Sequence, residues 1–320
     1  IHGEGTYRYE ITNEWAKVPP GIEWREVGSV AVDHKDQVYV FNRGPHPMMI
    51  FDVEGNFLDS WGEGLFSLPH HVRIGPDGNA YCVDYGDHTV KKITLDGNLL
   101  LTIGIKNQPS DTGVVGTDHR TIKNSSGPFN CPTDIAFGPS EELFVSDGYG
   151  NARIHRFSKD GMLLSSWGEP GGDVGQFGIP HNVWIDQTDR LYVNDRENSR
   201  VQIFTLDGQF INQWKDIWRP SCMHIDKDNL VYITELGYMS EVSYPDEEPP
   251  KGHDIHPRFT IRSLEGEIIA EWGGEDRFGL GNFFAPHTVT IDSKGDIYVG
   301  ELSATCGKPG YHSIQKFLRD

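Results

Sequence analysis

The sequence predicts an all-β chain folded as a six-bladed β-propeller, and three observations support that prediction. A pattern of alternating apolar and polar residues, typical of half-buried strands, recurs six times along the 320 residues. Turns rich in glycine and aspartate separate these strands. Tryptophan–glycine pairs close several repeats, and such aromatic punctuation of four-stranded units is typical of propeller blades.

Each repeat contains a short strand that usually begins with proline, then a turn, then an aromatic strand that ends in an acidic residue. The copy from Pro69 to Asp84, with its turn at Gly75–Gly78, shows the pattern most clearly. The predicted blade cores start near Val27, Pro69, Pro132, Pro180, Pro220 and Pro286. A blade of four strands takes about 40–50 residues. Residues 1–320 are therefore expected to form a single propeller domain.

Several segments lie outside the regular repeat. The strand near Thr6–Glu10 is expected to complete the sheet that contains Ser313–Phe317, which would leave no unpaired edge. The longest departures are Ile105–Phe129, Gly237–Pro257 and Ser303–His312. Loops of this length are usually binding loops or lids, and a simple surface insertion is the alternative for each.

Composition excludes several classes of partner. With 28 Lys and Arg against 47 Asp and Glu, the net charge is −19, which disfavours nucleic acid. No run approaches about 18 apolar residues, so no membrane span is expected. The four cysteines are widely spaced, as in thiols of a reducing compartment. Since no secretory leader is visible, we expect a cytoplasmic protein; a leader removed before this numbering begins is the alternative. Nothing in the sequence indicates an obligate protein partner.

One position in the repeat carries histidine in alternate blades. The residue after the start of the first strand reads, in blade order, Gly28, His70, Thr133, His181, Ser221 and His287. Equivalent positions in a propeller ring the central channel, so the three imidazoles would converge on the axis. Three nitrogen ligands favour an open Zn²⁺ site, with Fe²⁺ or another divalent first-row ion next, whereas Ca²⁺ prefers oxygen. A neutral, hydrogen-bonded channel lining is the alternative.

Acidic residues recur where the second strand of five blades ends: Asp84, Asp147, Asp195, Glu235 and Glu301. They are expected to cap the following loop. Alternatively, some would hold the far nitrogen of a ligand histidine.

The loops after these strands carry three groups suited to substrate chemistry. Arg43 and Arg196 present guanidinium groups that fit a carboxylate, so a small carboxylate-bearing substrate is expected. Tyr149 is a candidate general base. Surface salt bridges are the alternative for the two arginines.

A set of motifs occurs in order: Phe41-Asn42-Arg43-Gly44, Leu68-Pro69-His70, Pro132-Thr133-Asp134, Ser146-Asp147-Gly148-Tyr149, Pro180-His181, Asp195-Arg196-Glu197-Asn198 and Pro286-His287. From about Val27 to Phe317, the chain resembles the peptidyl-α-hydroxyglycine α-amidating lyases and their stand-alone bacterial relatives, which are built on NHL-type repeats. Asp-Arg-Glu-Asn alone is common in NHL propellers, so the specificity lies in the whole set.

The resemblance implies a catalytic zinc held by His70, His181 and His287. It also implies active-site roles for Arg43, Tyr149 and Arg196, which occupy the positions that match the family's motifs. Lyases of this family split the C–N bond of an N-acyl-α-hydroxyglycine into an amide and glyoxylate. Carried over, Tyr149 would take the proton of the metal-bound hydroxyl and the arginines would hold the carboxylate.

Three departures from the family stand out. Thr288 replaces the aspartate that serves the family's structural calcium, which counts against a calcium site in this chain. Ala285 stands where the animal enzyme has methionine, so the substrate pocket is altered. Gly150 follows Tyr149, and the disulfides of the secreted animal enzyme lack their partners.

Three functions follow as hypotheses. The first is a zinc-dependent carbon–nitrogen lyase acting on an α-hydroxylated amide. The second is a metal-dependent hydrolase or hydratase of a small lactone, ester or amide, using a metal-bound hydroxide. The third is a non-catalytic NHL scaffold that binds a protein across its loop face, since a propeller fold alone does not determine function.

Overall fold

The computed structural model describes residues 1–12, 14–238 and 255–320. These residues contain 27 strands and one short 3₁₀ helix, His119–Thr121. They form two compact units. The terminal unit comprises residues 1–63 and 221–320, and the central unit comprises residues 64–220. The single domain over residues 1–320 stays a prediction.

The strands follow one another with short turns between them. The terminal unit begins with β1 (His2–Glu4), β2 (Tyr7–Thr12), β3 (Val27–Val32), β4 (Val38–Asn42), β5 (Met48–Phe51) and β6 (Phe57–Trp61). The central unit has β7 (Pro69–Ile74), β8 (Ala80–Asp84), β9 (Thr89–Ile93), β10 (Leu99–Ile103), β11 (Pro132–Phe137), β12 (Leu143–Asp147), β13 (Arg153–Phe157), β14 (Leu163–Trp167), β15 (Glu169–Pro170), β16 (Gln176–Phe177), β17 (Pro180–Ile185), β18 (Arg190–Asp195), β19 (Arg200–Thr205) and β20 (Phe210–Trp214). The chain then forms β21 (Pro220–Ile225), β22 (Val231–Glu235), β23 (Arg258–Arg262), β24 (Ile268–Gly273), β25 (Pro286–Ile291), β26 (Ile297–Glu301) and β27 (Ile314–Arg319).

These strands assemble into blade-like antiparallel sheets. In the central unit, β7–β10, β11–β14 and β17–β20 each form a four-stranded sheet, and β15 pairs with β16 in a small parallel one. In the terminal unit, β3–β6 and β21–β24 form four-stranded sheets. The last sheet has the order β1-β2-β27-β26-β25. The first strand of every blade begins at the residue that the repeat predicts.

The expected pairing of the first and last segments is confirmed. Strand β2 lies antiparallel to β27, with Ile11 opposite Phe317 and Tyr9 opposite Arg319. The hairpin β1–β2 then adds a fifth strand to this sheet. The outer edge of the sheet is thus formed by the N-terminal segment of the chain.

The turns between the first two strands of the blades use a repeated aspartate–tyrosine contact. Asp186 accepts hydrogen bonds from the backbone of Thr188 and Arg190 and from the hydroxyl of Tyr192 at 3.0 Å. Asp226 and Tyr232 form the same contact at 3.0 Å. Each tyrosine thereby satisfies its hydroxyl while its ring is buried.

The core lies between neighbouring sheets. In the central unit, Phe144 and Ile154 from one blade pack with Val183 and Val193 from the next. The alternation of apolar residues along each strand places these side chains on the buried faces of the sheets. This packing positions β17, the inner strand that carries His181, against the neighbouring blade.

Candidate active site

The acidic residues at the ends of the second strands hold the loops that lead into the inner strands. Asp84 accepts backbone hydrogen bonds from Ser67 at 2.7 Å and Leu68 at 2.8 Å, just before Pro69, and from Gly86 in the following loop. Such buried carboxylates, each accepting backbone N–H groups, determine where an inner strand begins. The same contact occurs at Asp147 with Asn130, at Asp195 with Gly178, and at Glu301 with Phe284 and Ala285.

These acidic residues cap backbone groups as predicted, but most of the contacts are made to the loop before the inner strand and not to the loop that follows the second strand. Glu235 accepts from the side chains of Arg258, Thr260 and Arg262. Burial raises the pKa of Glu301 to about 7, although the hydrogen bonds from the backbone of Phe284 and Ala285 and from the Gln315 side chain act to lower this pKa.

The histidines are oriented by backbone carbonyl groups. Nδ1 of His70 lies 2.6 Å from the carbonyl oxygen of Thr133, the equivalent residue of the next blade. Since a carbonyl only accepts, Nδ1 of a neutral His70 carries the proton and Nε2 presents its lone pair. In the terminal unit, Nδ1 of His287 makes the same contact with the carbonyl oxygen of Gly28 at 2.7 Å.

The central unit brings four of the predicted residues together. One ligating nitrogen of His70 and one of His181 lie within 4.8 Å of each other, and both side chains are buried. The hydroxyl of Tyr149 lies 3.0 Å from Nε2 of His181 and 3.3 Å from Nε2 of His70. Arg196 donates from Nη1 to the same hydroxyl at 3.1 Å. A phenol, two imidazoles and a guanidinium thus meet at one oxygen atom.

Arg196 is held by a buried ion pair that the repeat pattern did not predict. Its Nε lies 2.5 Å from Oε1 of Glu197, and Nε of Arg219 lies 2.8 Å from Oε2 of the same carboxylate. The side chains of Arg196, Glu197 and Arg219 are 7%, 2% and 1% exposed. Burial alone would raise the pKa of Glu197, but the charges of Arg196 and Arg219 outweigh it and lower the pKa to about 2.

The segment 105–129 lies beside these groups. Thr112 donates to the carbonyl oxygen of Gly150, the residue after Tyr149, and Asn151 donates to Ser126. Burial lowers the pKa of His119; the charge of Glu197 acts to raise this pKa, and the charge of Arg196 acts to lower it. The segment is thus attached to the loop that carries Tyr149, as a binding loop would be.

The terminal unit holds the other two predicted residues. Arg43 donates from Nη1 to Glu26 at 3.2 Å, and both side chains are 8% exposed. The second oxygen of Glu26 accepts from the backbone of Thr305 at 2.8 Å, which anchors the segment 303–312. The ion pairs described for Arg43 and Arg196 are buried rather than exposed at the surface.

The remaining sequence features have defined positions. Thr288, which replaces the family's aspartate, lies 3.4 Å from the backbone nitrogen of Val30. Ala285 is buried. Residues 239–254, most of the segment Gly237–Pro257, lie outside the described residues. The four cysteines carry thiols rather than disulfides, and no helix among the described residues is long and apolar enough to cross a membrane.

A second position in the repeat would have pointed to the charged residues that pair with Arg43 and Glu197. The residue immediately before the inner strand reads, in blade order, Glu26, Leu68, Cys131, Ile179, Arg219 and Ala285. Two of these six residues are charged, and they are the ones that hold Arg43 and Glu197. A charged residue in an otherwise uncharged and buried position is the signal that was missed.

Comparison with known proteins finds similarity to the amidating lyases and to NHL repeat proteins. A family model described as a 6-bladed beta-propeller matches residues 132–246. Peptidyl-glycine alpha-amidating monooxygenase B of Xenopus laevis is 30% identical over 93% of this chain and 36% of its own length. Peptidyl-alpha-hydroxyglycine alpha-amidating lyase 1 of Drosophila melanogaster is 28% identical over 86% of this chain and 51% of its own length. The resemblance to the amidating lyases is confirmed.

The extent of these matches differs among the relatives. The chain spans about a third of the length of the monooxygenases it matches. NHL repeat-containing protein 3 of Homo sapiens is 27% identical over 92% of this chain and 82% of its own length. The relatives therefore include proteins named as amidating lyases and one named only for its NHL repeats.

Solved structures support the fold class. A streptogramin B lyase has a TM-score of 0.61 at 11% identity and covers 98% of both chains. A putative gluconolactonase has a TM-score of 0.62 at 12% identity, covering 98% of this chain and 92% of its own. At such low identity these similarities concern the fold alone. Together with the family model, they confirm the all-β, six-bladed β-propeller.

Proposed function

We propose that this chain is a metal-dependent carbon–nitrogen lyase that cleaves an N-acyl-α-hydroxyglycine into an amide and glyoxylate. The observation that carries the proposal is the meeting of His70, His181 and Arg196 at the hydroxyl of Tyr149. The amidating lyases among the relatives support the reaction type. The cytoplasmic location stays a prediction.

The residues fit a divalent first-row cation, with Zn²⁺ as the first choice. His70 and His287 donate from Nδ1 to carbonyl oxygens, which leaves Nε2 of each as the ligand atom. His181 would supply the third nitrogen. In a six-bladed propeller, these three equivalent positions in blades two, four and six ring the axis, and from that symmetry we propose that they hold one ion. The absence of a carboxylate from this set favours zinc over calcium.

Tyr149 is the proposed general base. A bound divalent cation would supply a Lewis acid for the substrate hydroxyl. The guanidinium of Arg196, 3.1 Å from the phenolic oxygen, holds in place the oxygen that is proposed to take the hydroxyl proton. The electron pair of the O–H bond then forms the aldehyde carbonyl, and the C–N bond breaks. Tyr149 returns the proton to the departing amide nitrogen, so no water is consumed.

The arginines are proposed to bind the substrate carboxylate. Arg43 and Arg196 occupy the same position after the second strand, in blades one and four. Glu26 and Glu197 limit the rotation of the two guanidinium groups. In a protein with a net charge of −19, a site with two arginines would select an anion over a neutral amide.

Two measurements test the proposal. Purified protein should contain about one zinc per chain and convert N-benzoyl-α-hydroxyglycine into benzamide and glyoxylate. His181→Ala and His287→Ala should each lose the metal. The matched control His224→Ala should keep it, because His224 lies on inner strand β21 but outside the ring position. An active, metal-free protein would overturn the proposal.

Labelled water separates lyase from hydrolase chemistry. In H₂¹⁸O the amide product should contain no ¹⁸O, because cleavage consumes no water. Glyoxylate is unsuitable for this measurement, since hydration exchanges its aldehyde oxygen. Benzoic acid containing ¹⁸O, in place of benzamide, would show hydrolysis of the acyl bond and contradict the lyase assignment.

A further inference from the structure

Blade three contains a serine, a histidine and an aspartate that are hydrogen-bonded in series towards its outermost strand. Oγ of Ser166 lies 2.7 Å from Nδ1 of His155, and Nε2 of His155 lies 3.3 Å from Oδ2 of Asp147. Asp147 ends β12, His155 lies in β13, and Ser166 lies directly opposite His155 in β14. His155 and Asp147 are fully buried, whereas Ser166 is half-buried. Carboxylate, imidazole and hydroxyl in this order form the arrangement that activates a serine nucleophile.

The partners of the imidazole determine where its proton lies. An ionised carboxylate only accepts, so Nε2 of His155 carries the proton that it donates to Asp147. Nδ1 of the neutral ring then has the lone pair, and the hydroxyl of Ser166 donates to it. Asp147 is itself held at 2.9 Å by the backbone nitrogen of Asn130 and by Nδ2 of Asn151. The imidazole is thereby oriented as a base for the serine proton.

The other blades show that the carboxylate does not require a histidine at this position. The equivalent residue of the third strand donates from Lys91 to Asp84, from Gln202 to Asp195, from Thr260 to Glu235 and from Gln315 to Glu301. An ammonium, an amide or a hydroxyl group can therefore serve as the donor to this carboxylate. Of these blades and blade three, only blade three has an imidazole there, a group that can accept the proton of a hydroxyl.

A cationic donor and an apolar side chain lie near the serine. Arg153 is on the same face of β13 as the imidazole, and its Nη1 lies 3.5 Å from the carbonyl oxygen of Gly168, two residues after Ser166. Diagonal neighbours of this kind are within reach of a long side chain. Nε of Arg153 is buried and has no hydrogen-bond partner in the described part of the chain, so it is a donor that an anionic oxygen would satisfy. Leu164, two residues before the serine, is 48% exposed.

We propose that Ser166 and His155 are the nucleophile and the general base of a second site, which hydrolyses esters with a short apolar acyl group. Asp147 is the positioning residue that orients the imidazole, and Arg153 stabilises the oxyanion. The acyl group packs against the exposed Leu164. This site uses none of the metal ligands or substrate-binding groups of the proposed lyase centre.

The reaction proceeds through an acyl-serine. Oγ of Ser166 forms a bond to the acyl carbon of the ester while its proton passes to Nδ1 of His155. The C–O bond to the alcohol breaks, and His155 returns the proton to the departing oxygen. A water molecule, deprotonated by His155, then attacks the acyl carbon. The carboxylic acid leaves, and the proton returns to Oγ of Ser166.

Covalent labelling tests the proposal. A fluorophosphonate probe should react with the wild type with loss of fluoride, and peptide mass spectrometry should find the label on Ser166. Ser165→Ala is the matched control, because Ser165 is the neighbouring exposed hydroxyl and lies opposite Arg156 rather than His155. This variant should label at the wild-type rate, whereas Ser166→Ala should not be labelled.

His155→Gln separates catalysis from packing. Blade four has glutamine at this position, and Gln202 donates to Asp195 at 3.3 Å, so the variant keeps a donor for Asp147 and should fold. It should label about 10²–10⁴-fold more slowly than the wild type, because the general base is lost. Release of p-nitrophenol from p-nitrophenyl butyrate should fall by a similar factor.

The results distinguish this site from the metal centre. Treatment with a chelator should leave labelling and ester hydrolysis unchanged, and hydrolysis lost on chelation would assign the activity to the metal centre instead. The inference is also overturned if the wild type is not labelled, if the label lies elsewhere, or if His155→Gln labels at the wild-type rate. Should His155→Gln fail to fold, Ser166→Ala still decides, because ester hydrolysis at the wild-type rate in that variant contradicts the proposal.

Discussion

Glu197 should make the stability of this protein sensitive to acid. Its pKa lies at about 2 in the folded protein, against 4.5 for an ordinary glutamate. A carboxyl group with a lowered pKa stabilises the folded state above its unfolded pKa and loses that contribution as the pH falls towards the folded pKa. The relevant range is therefore from about pH 4.5 down to about pH 2.

The size of this contribution follows from the two pKa values. The difference between 4.5 and about 2, at ~1.36 kcal/mol per unit, corresponds to about 3 kcal/mol at pH 7. Linkage of the two titrations predicts that about 2 kcal/mol of it is lost between pH 7 and pH 3. No large discount for solvent screening applies, because the Glu197 side chain is 2% exposed.

Urea unfolding of the wild type and Glu197→Gln measures this effect. At pH 7 the variant should be less stable by about 3 kcal/mol or more, since Arg196 and Arg219 then lose the buried carboxylate that they share. At pH 3 the difference should narrow by about 2 kcal/mol. Measurements at constant ionic strength keep other charge effects comparable. An equal difference at both pH values would refute the reasoning.

Three further predictions concern the core, the caps and the base. Phe144→Ala should lower the free energy of unfolding by about 3–5 kcal/mol, because Phe144 is fully buried between two blades; a loss below about 1 kcal/mol would contradict this packing. Asp84→Asn should lower the free energy of unfolding by about 1–3 kcal/mol, because the backbone N–H groups of Ser67 and Leu68, just before the His70 strand, lose their charged acceptor. The same substitution should weaken zinc binding in a metal titration. Unchanged zinc affinity would show that this cap does not position His70. Tyr149→Phe should keep the metal and lose about 10²–10⁴-fold in turnover, and loss of metal instead would make Tyr149 a ligand rather than the base.

The fold was largely predictable because the repeat is local. Proline and an alternating strand mark the start of an inner strand wherever they occur, so Pro69, Pro132 and Pro286 begin strands where expected. The capping role of the acidic residues was also predictable, since a buried carboxylate at the end of a strand needs hydrogen-bond donors and the backbone of an adjacent loop supplies them. Each of these features depends on residues close in the sequence or repeated at one position.

The ion pairs behind the arginines were harder to foresee. Arg219 and Glu197 are 22 residues apart, on neighbouring blades, and their contact follows from how two blades pack rather than from any periodicity. His119 lies in a segment outside the repeat, so its proximity to Glu197 has no counterpart in another blade. Pairings of this kind require the tertiary structure or a comparison of every repeat position, including those that look buried and ordinary.

The capping aspartates affect which substitutions the ring positions of the propeller can tolerate. Asp84, Asp147 and Asp195 bind backbone N–H groups, which nearly every residue type provides. The identity of the side chain at the neighbouring ring position is therefore little constrained by the cap, and glycine, threonine, serine and histidine all occur there within one backbone geometry. In such a propeller, the side chains at the ring positions can be substituted one at a time without a change in the conformation of the loops. That separation of scaffold from chemistry makes the ring a suitable place to engineer a different ligand set.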